Sequence, residues 1–431
     1  LYLSHPHPQR SAPARVGETR RRKEAFGPAG GATGTLINLF VGFFVGLSSG
    51  ATVIISQFYG AKKEKPTEDS VHTAVAMGIA GGLLLTVVGM LLAPTMLRMM
   101  DTPDDVLAPA VTYLRIYFAG MVFNLLYNIG SGILRAIGDS RRPLYVLIVC
   151  TLTNLVLDLL FVLVFHMGVA GAAIATVISQ IASCAYVLWF LLRGSVLVPI
   201  TFGGYDLKII GRVTAIGMSS FLIILFDNVM LIALNMMLQR YGGAGYGDML
   251  LTCNTIVQSF ELLITMPLGG LTMGTQTILG YNLGARRPDK ILKAQRVIFL
   301  TAVVFCGLMF LAAQLIPHLF ARIFTQDPEY IDMTARLIRI YTLGTIPLAL
   351  QYGIVDGFTG MGMVKIALPL SVFRKVVFFA CIFILPVLFP IENIFWCEAI
   401  SDIFPPLVSL TVYLLTIKRV IRRDPAPKRA A

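Results

Sequence analysis

Long apolar segments follow one another along most of this chain, and no other feature constrains its fold as strongly. After about residue 35, apolar runs of 18 or more residues recur, and only 13% of the 431 residues are charged. Soluble domains contain roughly 25% charged residues, and runs of this length are typical of membrane-spanning helices. The sequence therefore predicts an all-α polytopic membrane protein whose surroundings are the lipid bilayer.

We predict eleven membrane spans, divided by a polar stretch at about 193–210. The five spans before that stretch are 35–58, 71–97, 109–134, 143–166 and 169–192. The six spans after it are 211–239, 250–279, 296–320, 333–361, 366–388 and 391–417.

The two parts of the chain repeat one another at an offset of 224 residues. The sequence RIYFAG begins at Arg115, and RIYTLG begins at Arg339. Three glycines coincide at the same offset: Gly46, Gly50 and Gly60 with Gly270, Gly274 and Gly284. A single ungapped offset indicates an internal duplication. Many secondary transporters are built from such repeats, with the substrate site between the halves.

Basic residues predict the orientation, because Lys and Arg prefer short cytoplasmic loops. One set of alternate connections, together with the C-terminal tail, holds 23 of the 35 Lys and Arg residues. These connections lie near 62–65, 135–142, 193–212, 286–296 and 365–375. We therefore expect a multi-pass protein of the cell membrane with a cytoplasmic C-terminus. The net charge of +12 is accounted for by this topology and does not indicate a nucleic-acid partner.

The repeat also predicts a span before residue 35, where the sequence offers none. Shifting 211–239 back by 224 residues leads to a Pro- and Arg-rich stretch that cannot cross a bilayer. We expect residues 1–25 or so to replace the first helix through truncation or a wrong reading frame. The predicted organisation is a tail at 1–32 outside the membrane, an N-lobe at 33–200, a C-lobe at 201–420 and a cytoplasmic tail at 421–431.

Asp158 is the most informative candidate for function, because it interrupts the apolar run TLTNLVLDLLFVLVF. An ionisable residue at membrane depth indicates a functional site by default. Asn154 precedes it by four residues and shares its helix face. Thr176 lies at a similar depth on the helix that returns after the turn near residues 166–168.

Several segments, taken in order, resemble the MATE family of multidrug and toxic compound extrusion antiporters. They are QFYGAKK, GILRAIGDSRRPL at 132–144, TNLVLD followed by GVAGAAIAT, and YNLGARRPDK at 281–290. The resemblance covers roughly residues 31–420. It implies a twelve-helix exporter with two pseudo-symmetric lobes that extrudes small organic cations in exchange for Na⁺ or H⁺. Only the first helix of that plan is not recognisable.

The resemblance also implies roles for particular residues. The family's N-lobe cation site uses an Asn and an Asp four residues apart and a Thr eighteen residues later, which corresponds to Asn154, Asp158 and Thr176. A further Asp on the first helix has no counterpart in residues 1–35. In its C-lobe the family places an acid ten residues after a Gly, which corresponds to Gly217 and Asp227.

Two more acids lie in predicted spans of the second repeat. Glu261 is a second candidate for substrate or cation binding in the C-lobe, although its repeat counterpart is the apolar Ile37. Asp356 lies near the end of its span, where solvent or a nearby base accounts for it.

A buried carboxylate suits an antiporter, because burial disfavours its charged form and a proton, Na⁺ or organic cation restores the balance. Competition for one carboxylate then couples export to ion entry. Polar side chains in the same spans are candidates for lining the pathway: Asn124, Tyr127, Asn128, Gln180, Gln258 and Gln351. We expect no metal site beyond Na⁺ at Asp158, since the six cysteines show no paired spacing.

Two other functions remain open from the residues. A flippase for a lipid-linked precursor, from the same broad fold group, needs a larger basic cavity for phosphate, whereas the charges that the sequence places in spans are acidic. A membrane-embedded enzyme needs a catalytic constellation, and neither H-E-x-x-H nor G-x-S-x-G occurs. The sequence therefore favours a monomeric, non-enzymatic exporter.

Overall fold

The computed structural model describes residues 37–99, 104–193, 204–243 and 245–422, and throughout these ranges the regular structure is helical. The tail predicted at 1–32, with the proposed replacement of a first helix, lies outside the described residues. Most of the C-terminal tail lies outside them as well.

Six helices form the first repeat, and one of them ends in a π-helical turn. They are α1 (Ile37–Gly60), α2 (Glu64–Met99), α3 (Asp104–Ala119), α4 (Met121–Ala136), α5 (Arg141–Leu159), its π turn (Leu160–Val164) and α6 (Gly168–Leu192). The span predicted at 109–134 is broken, because α3 and α4 meet at a 46° bend. Gly120 lies at this break, where its lack of a side chain weakens the helix.

The second repeat contains eight helices with two short 3₁₀ turns between them. The first four are α7 (Leu207–Gly242), α8 (Tyr246–Gly284), α9 (Pro288–Leu315) and α10 (Pro317–Ala321). The last four are α11 (Pro328–Tyr341), α12 (Thr345–Gly360), α13 (Val364–Leu388) and α14 (Trp396–Val420), with 3₁₀ turns at Thr342–Gly344 and Ile391–Phe395.

Nine helices of the described ranges are long and apolar enough to cross a membrane, or ten if α3 and α4 form one span. The remaining predicted span, at 333–361, does not form one long helix, because it is divided between the polar α11 and the 16-residue α12.

The long helices carry exposed apolar faces of the kind that contact lipid. On α9, six residues spaced three or four apart are each more than half exposed: Val297, Leu300, Val304, Leu308, Leu311 and Leu315. Their spacing gives one apolar face.

One predicted loop is wrong. Residues 365–375 form the first half of α13, and Arg374 and Lys375 are 7% and 4% exposed. These two bases therefore cannot count toward a cytoplasmic loop. Of the other 21 bases of the predicted set, the 18 that the structure describes lie in connections or within about the first or last three turns of a helix, and the remaining three lie outside the described residues.

The chain divides into two compact units, which are described separately. Within the described ranges, the first contains residues 37–41, 78–127 and 144–188, and the second contains 42–77, 128–143 and 189–422. The lobes predicted at 33–200 and 201–420 stay a prediction.

Within the second unit, the ends of α1 and α8 touch through glycines that the repeat relates. A Cβ atom on Gly60 would lie 2.0 Å from the carbonyl oxygen of Tyr281. A Cβ atom on Gly284 would lie 2.0 Å from the carbonyl oxygen of Gln57. Because Gln57 and Tyr281 are also 224 residues apart, the contact is reciprocal, and neither backbone tolerates a side chain there.

We expect Gly60→Ala and Gly284→Ala each to destabilise the folded protein by about 1–3 kcal/mol, since the new methyl group meets a backbone oxygen that cannot rotate away. Gly307→Ala is the matched control, because nothing lies within 4 Å of its Cβ position and alanine favours a helix. Thermal unfolding in detergent measures the effect. Melting temperatures that agree among all three variants would contradict the close contact.

Candidate functional site

Charged side chains from α13 and α14 meet in the interior of the second unit. Arg374 is the centre of this arrangement: its guanidinium nitrogens lie 3.4 Å from Oε1 of Glu398 and 3.3 Å from Oδ1 of Asp402. The three side chains are at most 8% exposed. Glu398 and Asp402 are four residues apart and therefore share one face of α14. Glu398 also lies in the first turn of α14, where the helix dipole stabilises a negative charge.

Lys375, the next residue on α13, pairs with a different helix. Its Nζ donates to Oδ1 of Asp227 on α7. The Lys375 side chain is 5% exposed, whereas that of Asp227 is 46% exposed. The sequence predicted Asp227 as a binding residue of the C-lobe without assigning it a partner, and the structure gives it a basic one. That base was missed because Lys375 was counted in the basic connection near 365–375, although the span predicted at 366–388 also contains it.

Glu261 of α8 lies close to the same bases but is not paired with either. It is 8% exposed, and its carboxylate makes no hydrogen bond or ion pair with any residue that the structure describes. Nearby, Nε2 of Gln258 donates to the Tyr341 hydroxyl at 2.7 Å, and that hydroxyl donates to Glu398 at 3.2 Å. We refer to six residues together as the charge cluster: Asp227, Glu261, Arg374, Lys375, Glu398 and Asp402.

Asp356 belongs to a separate hydrogen-bond chain that joins α1, α8 and α12. Thr272 Oγ1 donates to Asp356 at 2.5 Å, and Gln276 Nε2 donates to it at 3.1 Å. The Ser49 hydroxyl in turn donates to Gln276 at 2.8 Å. The expectation that solvent or a base alone accounts for Asp356 is therefore wrong, since uncharged donors from α8 hold it.

Two cavities adjoin the charge cluster, and Asp227, Tyr352 and Arg374 line both of them. The first has a volume of about 170 Å³ and is also lined by Gln276, Gln351, Asp356 and Lys375. The second has a volume of about 210 Å³ and is also lined by Gln258, Glu261, Tyr341 and Glu398. A ligand in either cavity would meet Asp227 together with the aromatic ring of Tyr352.

The first unit holds the other predicted acid. Asp158 and Asn154 lie one turn apart on α5, and both are partly buried. Oδ1 of Asp158 and Nδ2 of Asn154 are buried without a hydrogen-bond partner among the described residues. The π turn begins two residues after Asp158, and π segments within helices are frequent at functional sites. Two unpartnered polar atoms on one face are a suitable start for a cation site.

Thr176 of α6 faces a local partner instead, since its hydroxyl donates to the Ala172 carbonyl at 3.0 Å. The chain turns between α5 and α6 where predicted, and His166 and Gly168 have φ angles of 54° and 57° there. The structure thus puts Asn154 and Asp158 on one face, and it gives no direct bond from either of them to Thr176.

The predicted pathway residues fall into two groups. Gln258 and Gln351 line the cavities of the second unit. Asn124 and Gln180 hydrogen-bond to Tyr117 in the first unit. Tyr127 and Asn128 lie on α4, and each has an interaction partner.

Four members of the charge cluster were not predicted from the sequence: Arg374, Lys375, Glu398 and Asp402. A signal was present, because Glu398 and Asp402 fall four residues apart inside the span predicted at 391–417. The predicted boundary at 366 also already placed both bases inside a span.

Comparison with known proteins gives one consistent result. The MatE family model matches residues 28–160 and 219–385. The multidrug export protein MepA of Staphylococcus aureus is 27% identical over 378 residues, which cover 85% of this chain and 80% of MepA. The probable multidrug resistance protein YoeA of Bacillus subtilis is 27% identical over 321 residues, which cover 71% of this chain and 67% of YoeA.

Solved structures agree on the fold. The outward-facing conformation of a multidrug resistance MATE family transporter of the MOP superfamily aligns with a TM-score of 0.86 at 20% identity, covering 92% of this chain and 88% of that chain. The bent form of the Vibrio cholerae MATE transporter VcmN aligns with a TM-score of 0.84 at 20% identity, covering 91% and 89%. Because the family model matches well over half of its residues, the chain belongs to the MatE family and is a multi-pass membrane transporter rather than an enzyme.

Proposed function

We propose that this transporter is a secondary active exporter of small organic cations and drugs, coupled to Na⁺ or H⁺ by alternating access. The observation that carries the proposal is the charge balance of the cluster. Its four carboxylates, Asp227, Glu261, Glu398 and Asp402, are matched by only two bases. Because bases are fewer than carboxyl groups, a bound cation can supply the missing positive charge.

The cavities suit an organic cation better than a bare metal ion. Both are lined by apolar and aromatic side chains with a few carboxylates, which is the usual composition of small-molecule sites. The Tyr352 ring gives a cation a favourable aromatic contact. The relatives from S. aureus and B. subtilis, which are named for multidrug export and resistance, support the same class of substrate.

Coupling is assigned to Asp158. Its Oδ1 and Nδ2 of Asn154 are buried without a hydrogen-bond partner, and no base neutralises the carboxylate, among the residues that the structure describes. The amide can turn its oxygen toward the site, because the two ends of an Asn side chain are assigned from their hydrogen bonds. Na⁺ or a proton would then satisfy the carboxylate. One charge crossing 100 mV supplies about 2.3 kcal/mol, or about a fifty-fold concentration ratio.

The orientation belongs to the same proposal. With the C-terminus in the cytoplasm of a monomer in the cell membrane, the basic connections face inward. In this orientation the coupling ion moves into the cytoplasm while the substrate moves out of it, as in an antiporter.

One observation favours the alternative, a flippase for a lipid-linked precursor, because Arg374 and Lys375 both line a cavity. Each of these bases is, however, already paired with a carboxylate of the cluster. A phosphate group would have to compete with those carboxylates and would add to the negative surplus. The charge balance therefore supports a cationic substrate.

We expect Asp158→Asn to abolish gradient-driven efflux while leaving expression and melting temperature near those of the wild type, because the amide cannot exchange a charge. Efflux of a dye cation from proteoliposomes, with the Na⁺ and pH gradients imposed separately, measures this and identifies the coupling ion. Asp289→Asn, at an exposed position in the first turn of α9, is the matched control and should transport normally. Wild-type efflux by Asp158→Asn under both gradients would remove Asp158 from the mechanism.

We expect Asp227→Asn to weaken the binding of organic cations by about tenfold or more, since one charge-assisted contact is worth about 1.5–3 kcal/mol. The binding of an uncharged compound of similar size should change much less. Titrating the purified protein with both compounds tests this, and equal losses for the two would indicate a folding defect instead of a lost charge contact.

A further inference from the structure

The Asp227–Lys375 pair has an unusual position for an ion pair that only holds helices together. Asp227 lines both cavities and its side chain is 46% exposed, whereas Lys375 on α13 is buried and lines the first cavity. The ammonium group therefore occupies the carboxylate that an incoming organic cation would meet first. Lysine is suited to such a contact, because its compact charge sits on a flexible stem without the fixed fork of arginine.

We propose that Lys375 is a tethered competitor that occupies Asp227 when the cavity is empty and yields it to the transported cation. This inference rests on the proposed function and assigns Lys375 as a specificity-determining residue. A ligand binds Asp227 only to the extent that it displaces the ammonium group. Its apparent affinity is therefore reduced by the fraction of molecules in which Asp227 is free.

The surrounding charges allow the Lys375 ammonium group to leave Asp227 without remaining as a buried charge that lacks a counter-charge. The charged groups that face it are Arg374 on its own helix, Asp227 on α7, and Glu398 and Asp402 on α14. Glu398 and Asp402 share a single guanidinium, so their combined negative charge exceeds that of the base between them. Since each carboxylate accepts several hydrogen bonds, these two can hold a displaced ammonium group.

A tethered cation also serves the empty transporter. A carboxylate without a counter-ion is costly to carry through a low-dielectric interior. With Lys375 paired to Asp227, the transporter can change conformation without substrate and without an uncompensated charge at Asp227. When substrate is bound, the transported cation replaces the ammonium group. Asp227 therefore has a positive partner during the conformational changes of both the loaded and the empty transporter.

The test is equilibrium binding of ethidium, a fluorescent organic monocation, to the purified full-length chain in detergent at fixed pH and ionic strength. We expect Lys375→Met to bind ethidium at least about tenfold more tightly than the wild type, because the competitor is gone. Lys375→Arg should bind several-fold more weakly, because a guanidinium can grip Asp227 with two parallel hydrogen bonds. The arginine variant keeps the positive charge and provides a readout if Lys375→Met does not fold.

The double variant Lys375→Met with Asp227→Asn separates competition from a general change in the electrostatic field. Competition acts through Asp227 alone, so the double variant should bind as weakly as Asp227→Asn does. A gain from Lys375→Met that persists without the Asp227 carboxylate would overturn the inference, and so would unchanged affinity in both Lys375 variants. If Asp227→Asn itself binds like the wild type, the proposed role of Asp227 fails first.

Discussion

Arg374 and Lys375 lie side by side within α13, where a bare charge would be very costly. The second repeat is arranged around that requirement. α14 supplies Glu398 and Asp402 for Arg374, and α7 supplies Asp227 for Lys375. The pairing of Arg374 with two carboxylates on one face of α14 favours one rotation of that helix about its axis, because a turn would separate the charges. Apolar packing alone would tolerate many such rotations. The charge cluster therefore orients these helices and at the same time forms the walls of the cavities.

Close backbone contact is the second constraint, and the internal repeat makes it informative. Gly60 and Gly284 meet reciprocally, as a two-fold relation between the repeats requires. The relation does not hold at the next glycines. Cβ atoms on Gly46 and Gly50 would lie 2.5 and 2.3 Å from α7 carbonyl oxygens, whereas Gly270 and Gly274 have no described atom within 4 Å. The first-repeat counterpart of α7 would precede residue 37, outside the described residues. Within the described residues, close backbone packing at these glycines is therefore a feature of the first repeat only.

Much of this fold could be predicted from the sequence, because bilayer physics leaves a long apolar run few options other than a helix. The 224-residue offset correctly paired Gly60 with Gly284. The bend at Gly120 and the break between α11 and α12 were missed, since both lie within runs whose hydropathy looks continuous. The partners of Asp227 and Arg374 could not be predicted either, because they come from helices that are distant along the chain. Only tertiary structure reveals whether a buried acid is paired with a base, as Asp227 is, or has no ion-pair partner among the described residues, as with Glu261.

The two candidate sites differ in whether their acids are paired with bases. This difference determines what each site requires for charge balance when no ligand is bound. Asp158 has an unpartnered oxygen and no base beside it among the described residues. Its burial is compensated only by something from solution, which suits a coupling ion that is always available. The charge cluster contains two bases, each paired with a carboxylate, so part of its negative charge is already balanced when it is empty. A site that supplies its own counter-charge binds a ligand only when the free energy gained from the ligand's contacts exceeds the free energy lost by breaking the internal ion pair. Under the proposed function, an organic cation would gain apolar and aromatic contacts that Na⁺ cannot make, and this difference would favour the organic cation at Asp227.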